Sequence, residues 1–143
     1  MTSPFDRDDD ATLLARLIWG EARGESMRGK LAVALSVINR VPPPGQHRWW
    51  GDSLREIMLK PAQYSCFNPK SSGFVLLVDP WLHDAELVWA DCRDAASLVL
   101  AGEVRDFIGG ATHYHAAGRR PKWARGREPT LRFGRHVFYA GVP

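Results

Sequence analysis

The 143-residue sequence has only two cysteines, Cys66 and Cys92. That is too few for a disulfide framework, and they lack the CxxC spacing of a metal site, so both are expected as buried thiols. Charges interrupt every apolar stretch, and none approaches the roughly 20 residues a bilayer requires. The opening "MTSPFDRDDD" has no apolar run behind a basic start, so no secretory signal is read and synthesis in the cytoplasm is expected. Internal repeats and the signs of a second domain are also missing. With 45% hydrophobic and 24% charged residues, the chain reads as one soluble domain over residues 1–143.

Acid is scarce at one end. Residues 111–143 carry 7 Lys and Arg against the single acid Glu128, whereas residues 1–110 carry 12 against 15. The net charge of +3 therefore belongs to the C-terminal quarter. The segment "GRRPKWARGREPTLRFGRH" could meet nucleic acid, an anionic membrane or an anionic wall polymer, or be a solvated loop. Its aromatics are not interleaved as in a nucleic-acid module, and charge alone does not choose the partner.

The periodicity predicts a helix from about Asp10 to Arg23, capped by one of Asp8, Asp9 or Asp10 and ended by Gly24. Ser26 caps a second helix with the stripe Leu31, Ala34, Leu35 and Ile38, closed before Pro42 to Pro44. Ser53 and Glu56 make a capping box for a short third helix ending at Pro61. Residues 62–80 are rich in turn formers and are expected as loop with at most a brief strand. Asp79 and Pro80 start the longest helix, with Trp81, Ala85, Val88, Trp89, Cys92, Ala95, Ala96 and Val99 on its stripe and Gly102 at its end. Beyond it "ATHYHA" and "HVFYAG" are expected as short strands flanking the basic loop. The class is mainly α (α+β), with about four helices and short C-terminal strands.

One residue conflicts with this pattern. Leu14, Leu17 and Ile18 form a buried stripe in "LLARLIWGEARGES", yet its next position is Glu21. A carboxylate on a buried face either swings out and pairs with Arg23, Arg28 or Arg40, or is desolvated and becomes a proton donor near neutral pH. Periodicity leaves both open.

Four blocks, "LARLIWGEARGESMRGKLAVALSVINRV", "PAQYSCF", "GATHYHA" and "FGRHVFY", resemble in order and spacing the cell-wall hydrolase family that includes the spore cortex-lytic enzymes. The resemblance runs over about residues 13–139. It implies a lysozyme-like domain that cuts the glycan strand of peptidoglycan beside N-acetylmuramic acid, with Glu21 as catalytic acid. It also implies substrate-binding roles for Gln63, Tyr64, Ser65, Tyr114 and His115, with core packing as the alternative for Tyr64, though the histidines around Tyr114 depart from the family's commoner aromatics. Trp123 is read as a stacking platform for a sugar ring or an aromatic plug under the basic loop. Asn39 and His136 are read as structural. Arg119, Arg120 and Arg125 are expected to hold anionic stems or wall polymers.

The expected partner is peptidoglycan, not nucleic acid or a membrane anchor, and the expected state is a monomer needing no cofactor. Without a signal segment, the enzyme would reach the wall through a membrane-permeabilising partner, in a virion or by an unusual export route, with a phage or prophage lysis enzyme of a thin, Gram-negative wall as the favoured setting. The course of cleavage follows from a shortage of carboxylates. The blocks facing Glu21 contain no Asp or Glu, and Glu25 lies on the same strip of chain, which favours lytic transglycosylation over hydrolysis aided by a remote acid such as Asp106. Two rival classes are a metal-dependent amidase or peptidase using His113, His115 and His136, and a non-enzymatic binding module in which Glu21 is structural.

Overall fold

The structure, a computed structural model, describes residues 3–70, 74–78 and 86–143. Helix α1 spans Asp10–Ala22, and its N-terminus is closed by the Asp9 carboxylate, which accepts from the Thr12 N–H at 2.8 Å. Leu13, Leu14, Leu17 and Ile18 on α1 are fully buried. Helix α2, Met27–Ile38, is capped by the Ser26 hydroxyl, and helix α3, Leu54–Leu59, by the Ser53 hydroxyl. The reciprocal half of the α3 capping box shifts by one residue, because Glu56 accepts from the N–H of Asp52 at 3.0 Å.

Residues 62–80 differ from expectation. Ser65–Phe67 forms a 3-10 turn, and Phe74–Val78 is a short helix, α4, where loop with at most a brief strand was expected. A five-residue apolar run has no period that separates strand from helix. Here tertiary contacts decide: Leu77 is fully buried, and Arg16 on α1 donates to the carbonyls of Leu77 at 3.0 Å and Val78 at 2.6 Å. Arg16 is itself held by Asp8 at 2.7 Å.

The long helix α5 is Glu86–Leu100. Its expected start at Asp79 and Pro80, with Trp81 and Ala85, lies outside the described residues. Its end is as expected: Gly102 takes φ +71°, so its own N–H reaches Val99 and the Glu103 N–H reaches Leu98, both at 3.1 Å. Helices α1, α2 and α5 pack together around the main core.

Three antiparallel strands, β1 (His113–Ala116), β2 (Leu131–Phe133) and β3 (His136–Tyr139), form a sheet in the order β1-β3-β2. Strand β2 falls inside the basic segment and was not foreseen, since three residues are too short for alternation to register. The pairing places Tyr114, Phe138 and Leu131 abreast, and His115, Val137 and Arg132 abreast. Because side chains alternate, these rows face opposite ways. The first row packs on the helical core, whereas Val137 and Tyr139 join Ala124, Val142 and Trp123 in a separate cluster on the outer face.

Candidate active site

Glu21 sits in the last turn of α1, half-buried in the wall of a cavity of about 610 Å³. It is the only acid among the described residues that line this cavity. Desolvation raises its pKa above the ordinary value, opposed by hydrogen bonds from the Cys66 thiol and N–H and from the Tyr114 hydroxyl. The three arginines that could have paired with it are engaged elsewhere. The Arg23 guanidinium lies 4.3 Å from the Trp19 ring centroid, that of Arg28 4.3 Å from Phe107, and Arg40 is bonded to Thr112 and Gln63.

Cys66 reaches Glu21 because the residue before the acid is glycine. A Cβ on Gly20 would lie 2.5 Å from the Cys66 Cβ, closer than any packed side chain tolerates. Burial, reinforced by the neighbouring Glu21, pushes the Cys66 thiol pKa up, so it stays a protonated donor. Neither Cys66 nor Cys92 is in a disulfide.

Tyr64 forms an adjoining stretch of wall. Its hydroxyl is buried, has no hydrogen-bond partner among the described residues, and is pushed up to about 12 by burial. Arg40 is 6% exposed and fixes several of these groups at once. Its Nε donates to the Thr112 carbonyl at 2.7 Å and its Nη1 to Gln63 Oε1 at 2.9 Å, and its guanidinium lies 5.4 Å from the Trp50 ring centroid and 5.2 Å from that of Tyr64. With its oxygen on Arg40, Gln63 keeps its amide N–H groups for a further acceptor. Ser65 is exposed at the cavity wall.

Among the residues read from sequence as substrate-binding, the structure brings Gln63, Tyr64, Ser65, Tyr114 and His115 to one cavity with Glu21. Trp123 does not line it. Its ring packs 5.3 Å from those of His113 and Tyr139 and 5.8 Å from His115, in the outer cluster under the basic loop. Arg119 and Arg120 reach the cavity, whereas Arg125 does not. His136 also lines it, 5.0 Å from the Tyr114 ring centroid, although the sequence favoured a structural residue. The sequence did not place Arg40 or His136 in the wall of this cavity, nor Cys66 against the last turn of α1.

Other groups are committed elsewhere. Asn39 Nδ2 donates to the Ala111 carbonyl at 3.0 Å, as its structural reading expected. Asp106 accepts from the N–H groups of Ile108 at 3.1 Å and Gly110 at 2.9 Å, holding its own loop. Glu25 Oε1 accepts from the Arg135 N–H at 2.8 Å and lies 3.4 Å from His136 Nδ1, so it joins the α1–α2 connection to the β2–β3 turn.

The metal-site alternative fails on geometry. His115 donates through Nδ1 to the Ala116 carbonyl at 2.8 Å and accepts at Nε2 from the Tyr139 hydroxyl at 3.0 Å, so both ring nitrogens are used. His113 is bonded to the Thr112 hydroxyl at 2.8 Å, and burial lowers its pKa to about 4. His136 faces the opposite side of the sheet from both. Among the described residues no three His, Cys, Asp or Glu side chains converge as a ligand set.

Residues 24–139 match the sequence profile of the cell wall hydrolase family. The chain belongs to that family. The match begins three residues after Glu21, so the acid lies just ahead of it. A spore cortex-lytic enzyme of Halalkalibacterium halodurans is 27% identical over 133 residues, covering 92% of this cell wall hydrolase and 34% of the relative. The chain thus spans about a third of that relative's length. The catalytic domain of the Bacillus cereus SleB protein superposes with a TM-score of 0.59 at 23% identity, covering 90% of this chain and 88% of that one. The catalytic domain of the germination-specific lytic transglycosylase SleB from Bacillus anthracis gives 0.62 at 22%, covering 96% and 98%. These likenesses establish the fold: the lysozyme-like α+β class expected from sequence.

Proposed function

We propose that this cell wall hydrolase cuts the glycan strand of peptidoglycan beside N-acetylmuramic acid by lytic transglycosylation, with Glu21 as acid and then base. The observation that carries the reading is a single desolvated carboxylate in a cavity lined by no other described acid. The raised pKa keeps the proton available for the glycosidic oxygen. As that oxygen takes it, the bond to muramic C1 breaks. The muramic C6 hydroxyl then attacks C1 and returns its proton to Glu21, leaving a 1,6-anhydromuramic end and consuming no water. Holding the nucleophile within the substrate gives it a high effective molarity.

Hydrolysis of the same bond needs a second carboxylate at about 5–5.5 Å or 6.5–9.5 Å from the first. Asp106 and Glu25, the acids a hydrolytic course would draw on, are bonded into a loop and a turn. The relative from Bacillus anthracis that is named a lytic transglycosylase supports the same course. Digestion of purified peptidoglycan in heavy-oxygen water, followed by mass spectrometry, tests it. Anhydro ends without label are expected, and labelled reducing muramic acid would overturn the transglycosylase course.

A further inference from the structure

Arg119, Arg120 and Arg132 share a second cavity of about 220 Å³, whose walls include His115, Val137 and Tyr139. Strand alternation builds it. Arg132 pairs with Val137, and Val137 with His115, so all three belong to the outward row of the sheet. Strand β1 is an edge strand, and the chain beyond it carries Arg119 and Arg120 around its end. These two arginines and His115 also line the cavity of Glu21, so the two cavities meet at that edge.

The three guanidinium groups are exposed and have no ion-pair partner among the described residues. The whole of residues 111–143 offers one acid, Glu128. Three like charges around one small cavity repel each other, and an anion relieves that repulsion. Guanidinium forks match carboxylates in particular, through paired N–H donors.

We propose that this cavity is a subsite for the carboxylates of the peptide stem carried by the muramic residue being cleaved. The inference rests on the transglycosylase reading, which also chooses between two sources of anion. Phosphodiester-linked wall polymers join muramic acid through its C6 oxygen, and that oxygen must be free to act as nucleophile. The stem hangs from the C3 lactyl ether of the same ring and leaves C6 untouched. A ring seated at Glu21 sends its stem over the edge of β1 toward the arginines. The enzyme therefore selects stem-bearing glycan over bare glycan.

The test compares intact peptidoglycan with the same material stripped of stems by an N-acetylmuramoyl-L-alanine amidase, measuring kcat/KM from newly formed muramic ends. Wild type is expected to favour the stemmed substrate by about tenfold, the value of one charge-assisted contact. Arg132→Ala, which alters only the outer cavity, should bring that ratio close to one, and Arg132→Lys should keep part of it. Arg125→Ala, outside both cavities, should leave the ratio unchanged, and thermal unfolding checks that each variant folds. Added salt should compress the wild-type preference. Equal wild-type rates on both substrates would overturn the subsite. So would an Arg132→Ala loss of the same factor on both, or competition by duplex DNA without any stem preference. If wild type cuts neither substrate, the glycosidase reading itself fails and the subsite falls with it.

Discussion

Tyr114 on β1 and Glu21 on α1 line the same cavity, and the tyrosine hydroxyl lowers the pKa of the acid against the desolvation that raises it, so the acid lies between the helical core and the sheet. Its position depends on strand register, because a slip by one residue would send Tyr114 to the outer face.

Glu21→Gln is expected to lower glycan cleavage by about 10²–10⁴-fold, the usual contribution of a positioned general acid. The fold should survive and gain stability at neutral pH. The native pKa of Glu21 is raised, so its favourable contribution exists below the unfolded pKa and is lost as pH rises through the native one. The amide escapes that loss. Peptidoglycan turnover and pH-dependent melting measured on the same sample check both halves, and near-normal turnover would remove Glu21 from the mechanism.

Tyr64→Phe separates stability from activity. Its buried hydroxyl has no described partner, and an unsatisfied group costs about 1 kcal/mol or more. Deleting it should raise the melting midpoint by roughly 3–5 °C while lowering kcat/KM about tenfold if a sugar hydroxyl supplies the missing partner. A variant that melts lower, or that keeps full activity, contradicts the role.

Cys66→Ala removes a donor that holds the Glu21 pKa down. That pKa should climb further, and the alkaline limb of the kcat profile should move to higher pH, since the proposed reaction starts from protonated Glu21. An unmoved limb would leave Cys66 as packing alone.

His113→Phe should flatten the acid side of the stability curve. Native His113 has its pKa lowered from 6.5 to about 4, so between those values the unfolded chain binds the extra proton and stability falls as pH falls. Its contribution is on the order of 1–2 kcal/mol after allowance for its partial exposure. Phenylalanine fits the aromatic surroundings of Trp50 and Trp123 and does not titrate. His136, also lowered, keeps a smaller slope in the variant, which melting between pH 4 and 7 would resolve.

Glu25→Gln should affect stability more than chemistry. Its carboxylate holds the β2–β3 turn through the Arg135 N–H, and Gly134 lies so close that an added Cβ would be 2.5 Å from Glu25 Oε2. A loss of about 1–3 kcal/mol is expected, with turnover per folded molecule close to wild type. Loss of turnover in a fully folded variant would bring Glu25 into the reaction.

What the sequence made legible was local. Asp9, Ser26 and Ser53 announce helix starts because a cap is decided within three residues. Glu21 is conspicuous because it breaks a stripe. Arg40 and Cys66 were silent because their roles arise from contacts distant along the chain: Arg40 reaches Gln63 and Thr112, and Cys66 reaches the end of α1. Trp123 and His136 were hard to place for a related reason. Which face of a short strand or turn points inward depends on pairing register, and no periodicity fixes that over three or four residues.

Gly20 sets a dimension of the reaction cavity although it does not line it. The segment bearing Gln63, Tyr64, Ser65 and Cys66 can approach the first helix only as closely as the atom on position 20 permits, and a hydrogen there lets the thiol touch the acid's own turn. A single methyl group would wedge the two walls apart, lengthening the reach from Cys66 to Glu21 and widening the cavity. The calibre of the site is thus written at a residue outside its lining.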